Sequence, residues 1–407
     1  MPHQRFVFVP QPVMGKSPEE LRAYVDGLDP ITGRPFMDEV VAALTEPLTD
    51  RETGHRQYDR SSPRTVEAGS EQELHDLILA NNWTDQLPIV LPTAERVEAM
   101  LAGSSHKADE VVGHMRPTST REAWEFTVEK VAVNAVMAGA KPEYFPVILA
   151  LAASEATARG STTSSSANMV MVNGPIRKEI SMNSGIGAMG PYNHANATIG
   201  RAYGLLSQNL QGGSVPQLTY LGSQGNGYGY GNPTFAENEE RSPWVPFHVE
   251  KGFDQNQSVV SIIADVKTTS FLLGLREKHW REHVVHMLRG MNPFNPPTLV
   301  LDPITARQFV DRGGFDTKEK LAEWIYEVAT IKAGEYWDYQ LIQNYVYPRA
   351  LNGEEPFASL LETDPEEQIP MFRQEAINIV VVGGETNGYW RIMGCHHAKS
   401  VCVDDWR

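Results

Sequence analysis

The sequence predicts an α/β fold, a parallel or mixed sheet covered by helices, with an extended N-terminal arm. Three observations carry that prediction. The runs MVMVN (169–173), SVVSIIADV (258–266), PTLVLD (297–302) and AINIVVVGG (376–384) are short, apolar and rich in β-branched residues, as strands are. Around them, segments such as ITARQFVDRG (304–313) and TKEKLAEWIYEVATI (317–331) repeat apolar residues at helical spacing, and Asp316-Thr317 caps the second. Strand-then-helix order of this kind argues for a helix-covered sheet. Finally, with 407 residues, 41% apolar and 21% charged, the chain can bury a sizeable core. No internal repeat with a fixed period is visible.

Residues 1–70 read as the arm, punctuated by proline and charge. Helices are expected at 17–27, opened by Ser-Pro-Glu-Glu, and at 36–44, and the polar stretch 51–70 reads as a connector. Residues 71–257 form a helical and Gly/Asn-loop region. Leu74, Leu77, Ile78 and Leu79 fit a helix, a short extended segment ends in prolines, and Thr93 caps the next helix. Trp124, Val128, Val131, Ala132, Ala135 and Val136 predict a helix over 121–137 that stops at Gly139. A second helix starts at Pro142 and is apolar nearly all round, so it should be buried. Glu129 and Asn134 are the polar exceptions in this pair, and satisfied interface groups are the simpler explanation for both. A Ser/Thr-rich loop (160–167) leads into MVMVN. Residues 258–407 form an α/β region with a Cys/His tail. Here a helix is expected over 274–289, 376–384 reads as the last strong strand, and the aromatic stretch 335–350 receives no assignment.

The stretch 173–213 is the first candidate site. It follows a strand, where open α/β sheets place their ligands. Its glycines, Gly185 and Gly187 among them, give backbone freedom, and Asn173, Asn183, Asn193 and Asn196, with Ser184, give short polar arms. Asn196 and Thr198 lead into an apolar-periodic helix, whose start would aim amide N–H groups at an anion or a carbonyl oxygen. Arg201 one turn in, and Arg177 upstream, would add forked charge. The alternative is a Gly/Asn turn that only caps a buried helix.

A second cluster is AENEERSPWVPFHVEKGF (236–253), where Glu237, Glu240 and His248 stand among aromatic residues and prolines. Paired carboxylates divide acid and base roles when their environments differ, and a solvated charge run is the alternative. The tail holds both cysteines. Cys395, His396, His397 and Cys402 offer thiolate and imidazole ligands for zinc, iron or copper, and Cys395 with His397 is equally compatible with a thiol nucleophile. A buried cysteine beside polar histidines is the plainer reading. No dinucleotide fingerprint, P-loop, nucleophile elbow or His-Glu-x-x-His motif occurs.

The net charge of −16 argues against nucleic acid or an anionic membrane as partner. Two cysteines in so long a chain, no run of 18 apolar residues and no signal-peptide plan point to a cytoplasmic protein. The expected partners are a small-molecule substrate and either further copies of the chain, across which such an arm would lie, or a second subunit.

The stretches EKVAVNAVMAGAKPEYFPV (129–147), VNGPIRKEISMNSGIGAMGP (172–191), HANATIGRA (194–202) and FAENEERSPWVPFHVEKGF (235–253) resemble the bacterial UGSC (seleno)protein family. The likeness covers about residues 71–310 and is weaker beyond. Where that family carries cysteine in the first of these stretches this chain has Ala140, and the family's Cys-Gly or Sec-Gly redox motif is absent. The resemblance implies a catalytic or redox-associated protein, paired with a second subunit. The resemblance supplies no reaction; from the candidate residues, the leading expectation is an enzyme, a lyase or oxidoreductase, acting on a small anionic or carbonyl-bearing metabolite. The alternative is a non-catalytic companion or metabolite-binding subunit of a hetero-oligomer.

Overall fold

The structure, a computed structural model, describes residues 5–11, 13, 16–53, 63–114, 125–160, 163, 165–211, 217, 220–267 and 269–407. The expected helix start at 121–124, with Trp124, parts of the 51–70 connector and of the 160–167 loop, and residues 212 and 213 of the first candidate stretch lie outside them. Two compact units divide the chain, Met1–Glu67 and Ala68–Arg407.

In the first unit the two expected helices form at Pro18–Val25 and Phe36–Thr45, and Ser17 and Glu20 make a reciprocal capping box at the start of the first. Neither helix buries a residue. The unit is held by polar ties instead. Arg5 Nε donates to Glu52 at 2.6 Å and its Nη2 to the Pro47 carbonyl at 2.7 Å. The buried Asp29 carboxylate accepts from the Phe8 and Ile31 amides, both at 2.7 Å.

Among the described residues, twelve strands lie in the second unit: β1 (Val111–His114), β2 (Glu125–Thr127), β3 (Met169–Asn173), β4 (Thr234–Ala236), β5 (Val259–Ala264), β6 (Thr269–Leu273), β7 (Pro297–Leu301), β8 (Thr330–Lys332), β9 (Gln368–Pro370), β10 (Asn378–Val381), β11 (Tyr389–Gly394) and β12 (His396–Cys402). The fold is α/β, with two mixed four-stranded sheets ordered β12-β5-β3-β4 and β6-β11-β7-β10. Strands on either side of residue 257 pair within the first of these sheets. Two short ladders, β1-β2 and β8-β9, stand apart.

Both large sheets have the same pattern: antiparallel, antiparallel, then parallel. The parallel pairs end in matching register, Val172 opposite Ala236 and Leu301 opposite Val381. The antiparallel pairs match too, Val172 opposite Val260 and Leu301 opposite Trp390. The chain thus repeats one arrangement twice and exchanges the fourth strands. β6 follows β5 but pairs with β11, and β12 follows β11 but pairs with β5.

Strand side chains alternate between faces, and this sorts the core into layers. Val170, Val172 and Ile262 of the first sheet pack with the helices Val128–Met137, Phe145–Ala153 and His194–Asn209. Leu299, Leu301 and Ile392 of the second pack with Trp280–Arg289, Pro303–Asp311 and Lys318–Val328. The opposite faces meet one another: Met171, Phe235 and Ile263 share an apolar layer with Val300, Val380 and Met393. The order is helix, sheet, sheet, helix.

Several local expectations shift. Residues 125–127, read as helix, form β2, and the helix expected from 274 begins at Trp280, after β6. Residues 88–93 join no sheet, and the unassigned 335–350 stretch falls in the short helices Ala333–Asp338, Gln340–Tyr345 and Tyr347–Leu351. The tail is a pair of strands.

The helix His194–Asn209 packs closely against the turn that leads into β4, and Gly200 lets it approach. A Cβ there would meet the Gly231 and Asn232 carbonyl oxygens at 2.2 and 2.4 Å. Alanine is the better helix former by about 1 kcal/mol. Contact with backbone oxygens outweighs that gain, so Gly200→Ala is expected to destabilise the protein by about 1–3 kcal/mol in chemical denaturation.

Candidate functional site

Parallel pairing of β3 and β4 brings Asn173 and Glu237 together at the carboxyl ends of the two strands. Asn173 Nδ2 donates to Glu237 Oε2 at 2.6 Å and to Glu239 Oε1 at 2.9 Å. Glu237 is fully buried, and its Oε2 also accepts from the Phe247 amide at 2.7 Å. Lys318, itself 4% exposed, places Nζ 3.7 Å from Glu237 Oε1 and 3.2 Å from Glu250. A buried carboxylate needs such a cation close by. Arg177, in the turn after β3, donates to Glu239 at 2.7 Å, to Glu240 at 3.0 Å and to the Glu237 carbonyl at 2.8 Å. His248 is fully buried with Nε2 3.3 Å from the Gln255 carbonyl. The structure joins Glu237 and Glu240 of the expected acidic run to Asn173 and Arg177, which the sequence reading places with the Gly/Asn stretch, and sets a cation beside each of Glu237, Glu239 and Glu240.

Burial pushes the Glu240 carboxyl up, but hydrogen bonds from Arg177 and Lys178 outweigh it and hold the group down at about 2. A carboxylate whose folded pKa is depressed stabilises the fold above its unfolded value, and the contribution fades as pH falls through the folded value. Unfolding free energy should therefore decline from the usual glutamate range down toward pH 2, and Glu240→Gln should flatten that slope in urea titrations across acid pH. Glu240 is nearly half exposed, so solvent screening keeps the effect small.

The Gly/Asn stretch is held in shape by its own amides. Asn193 caps the helix His194–Asn209, accepting from Asn196 N at 3.1 Å, and donates to the Ser181 carbonyl. Asn196 lies inside the helix; its side chain accepts from Asn183 N at 3.1 Å and donates to the Asn183 and Ala188 carbonyls, both at 3.0 Å. Asn183 in turn accepts from Gly185 N and donates to the Ile186 carbonyl. Thr198 donates to the His194 carbonyl at 2.8 Å. Arg201 forms a two-pronged bond with Asp85, both contacts 3.0 Å. Its charge is matched within the chain.

Ser184 joins this loop to the second sheet, its carbonyl accepting from Gly383 N at 2.8 Å. The approach is close enough that a Cβ on Gly384 would lie 2.2 Å from Ile186 Cγ1. Gly187 and Gly383 both adopt positive φ, 74° and 111°, which favours glycine. Between the loop and the Gly383-Gly384 turn lies a cavity of about 380 Å³. Gly187, Met189, Val300, Asp302, Gly383 and Arg391 are among the residues that line it. Glu385, between the lining residues Gly384 and Thr386, pairs with Arg241 and Arg307. A second hollow of about 540 Å³, lined in part by Asn226 and Lys267, shares Tyr228 with the first.

Sequence reasoning does not single out Asp302 or Arg391. Asp302 ends the strand β7, caps the helix Pro303–Asp311 by accepting from Thr305 N at 2.8 Å, and is 5% exposed. Burial raises its pKa above the usual aspartate value, outweighing the hydrogen bonds from Thr305, Tyr389 and Gly388. Arg391 extends over the Tyr389 ring, 5.3 Å from its centroid, and has no carboxylate partner among the described residues. A signal is present: an aspartate ends one strand, and a glycine pair ends a neighbouring one, where α/β sheets bind ligands.

The tail separates its candidate ligands. Cys395 is fully buried in the layer between the sheets, and burial pushes its thiol up to about 12, which disfavours a thiolate. Its Sγ donates to the Met393 carbonyl, while His397 Nε2 bonds Ser400 at 2.8 Å. His396 pairs in the ladder with Ala264, and Cys402 with Val259 at the far end of β12. Extended chain at about 3.3 Å per residue keeps Cys395 and Cys402 roughly 20 Å apart. Among the described residues no three His, Cys, Asp or Glu side chains group as a metal site.

No family model matches the chain, and no curated protein matches it. No helix among the described residues is long and apolar enough to cross a membrane.

Proposed function

We propose that the chain is an enzyme acting on a small anionic or carbonyl-bearing metabolite, a lyase or oxidoreductase, with its substrate in the cavity between the Gly/Asn loop and Gly383-Gly384. The observation that carries this reading is Asp302, a buried carboxyl with a raised pKa lining that cavity. Such a group exchanges a proton closer to neutrality than a solvated aspartate does, as acid–base chemistry beside a carbonyl requires. Arg391 supplies the positive charge for an anionic substrate group, the part expected from the sequence of Arg201 or Arg177. Asn183 and Asn196 serve by shaping the loop wall. Glu237, with Asn173 and Lys318, anchors the adjoining strand ends, and Asn238 links them to the cavity by donating its backbone N–H to Val381 and its side-chain amide to Gly383.

The test is a turnover screen of small keto and hydroxy acids with wild type and Asp302→Asn. Activity present in the wild type and lost in a variant of unchanged melting temperature supports the reading. Equal activity in both removes Asp302 from the chemistry and the reading with it.

A further inference from the structure

We infer that the ligand of this cavity is a monocarboxylate with an apolar, ring-sized body, bound through Arg391. The inference rests on the enzymatic reading for the cavity's purpose and goes further in naming what it holds.

Charge comes first. Arg391 is the cation lining the cavity, and Asp302 lines it too. One guanidinium beside one acidic group suits a single negative charge and penalises a dianion. The sheet also fixes where the arginine stands. It stands in mid-strand, opposite Val300 on one side and Phe271 on the other, with its cation over Tyr389. A planar fork presented in this way matches the two oxygens of a carboxylate.

The loop argues against a phosphate group. Phosphate sites on glycine-rich loops depend on free backbone N–H groups converging on the anion. Here Gly185 N donates to Asn183 Oδ1 at 2.9 Å, Ala188 N to the Gly185 carbonyl at 3.1 Å and Gly190 N to the Gly187 carbonyl at 2.9 Å. Three of the six amides of residues 185–190 are thus spent inside the loop, which leaves fewer for an anion than a phosphate cradle offers.

The cavity wall is largely apolar. Ile186, Met189, Tyr228, Val300, Val382 and Tyr389 line the space around the two charged groups. A volume of about 380 Å³ lies at the small end of the range, roughly 300–1,000 Å³, of small-molecule sites. The volume suits a body the size of one aromatic ring, with the carboxylate at Arg391 and an oxygen substituent toward Asp302.

Titration calorimetry of the full chain with phenylpyruvate, pyruvate and phenyl phosphate tests this without requiring turnover. Phenylpyruvate is expected to bind most tightly of the three. Arg391→Gln should weaken it by about 10–100-fold, the worth of a charge-assisted hydrogen bond, and Arg391→Lys by less. Met189→Trp, which fills the cavity without touching the arginine, should also lose it, with melting curves confirming that each variant is folded. Tighter binding of phenyl phosphate, no saturable binding of phenylpyruvate to wild type, or affinity unchanged in Arg391→Gln overturns the inference. Arg391-dependent binding with no turnover of any acid would sink the enzymatic reading and leave this one standing. Asp302-dependent turnover of a substrate lacking a carboxylate would do the reverse.

Discussion

Arg177→Ala is expected to lower the free energy of unfolding by about 3–5 kcal/mol, the cost of breaking a buried ion pair by removing one partner. Arg177 is 5% exposed and binds Glu239, Glu240 and the carbonyls of Gly174 and Glu237. Its removal strands the Glu239 carboxylate, whose side chain is 14% exposed, and leaves the Glu237 carbonyl short of a donor. Glu240 contributes less, because water reaches it. Arg177→Lys should recover only part of the loss, since a point charge cannot serve both carboxylates and the carbonyls from one position. Urea denaturation with a constant slope measures the difference. A loss below about 1 kcal/mol, the worth of an exposed pair, would mean the cluster does not hold the strand ends together.

The second large effect concerns chemistry. Asp302→Asn is expected to reduce kcat/KM by about 10²–10⁴-fold, the usual contribution of one acid–base group. Asparagine keeps the acceptor for Thr305 N and caps helices as well as aspartate does, so the fold should survive. The sign of the pH effect on stability follows from the raised pKa. Between the unfolded and folded values the native state holds the extra proton, so stability falls as pH rises through that window. The asparagine side chain has no such proton, and the slope should vanish with the variant. If Asp302 acts as base, the rate should climb as it ionises, above the ordinary aspartate range. A variant as active as wild type, or one that has simply unfolded by circular dichroism, would count against the role given to this residue.

Much of the secondary structure is legible in the chain. The strands at 169–173 and 297–301 and the capped helices from Pro18, Ala94 and Lys318 follow from β-branched runs and Ser/Thr caps. Strands β11 and β12 are not, because YWRIMG mixes charge with glycine and HHAKSVC is a polar edge segment. Each becomes a strand through the neighbour it pairs with, and pairing partners lie far away in the chain. The repetition of the two sheets is hidden for a related reason: it lives in strand order and register, while the side chains and the connecting lengths differ.

The candidate site divides along the same line. Local sequence dictates that residues 173–209 hold a strand, a glycine-rich loop and a helix, and that the Glu237–Glu240 run is an unusual acidic group. It does so because turn chemistry, capping and periodicity act over a few residues. Which charges are matched and which face open space is settled by packing across the fold. Arg177 meets Glu239 and Glu240, Arg201 meets Asp85, and Cys395 is enclosed between the sheets, whereas Asp302 and Arg391 line one cavity. A charge is available for chemistry when no opposite charge neutralises it, and such pairs are set by contacts between distant strands and helices, which neighbouring residues in the chain do not encode.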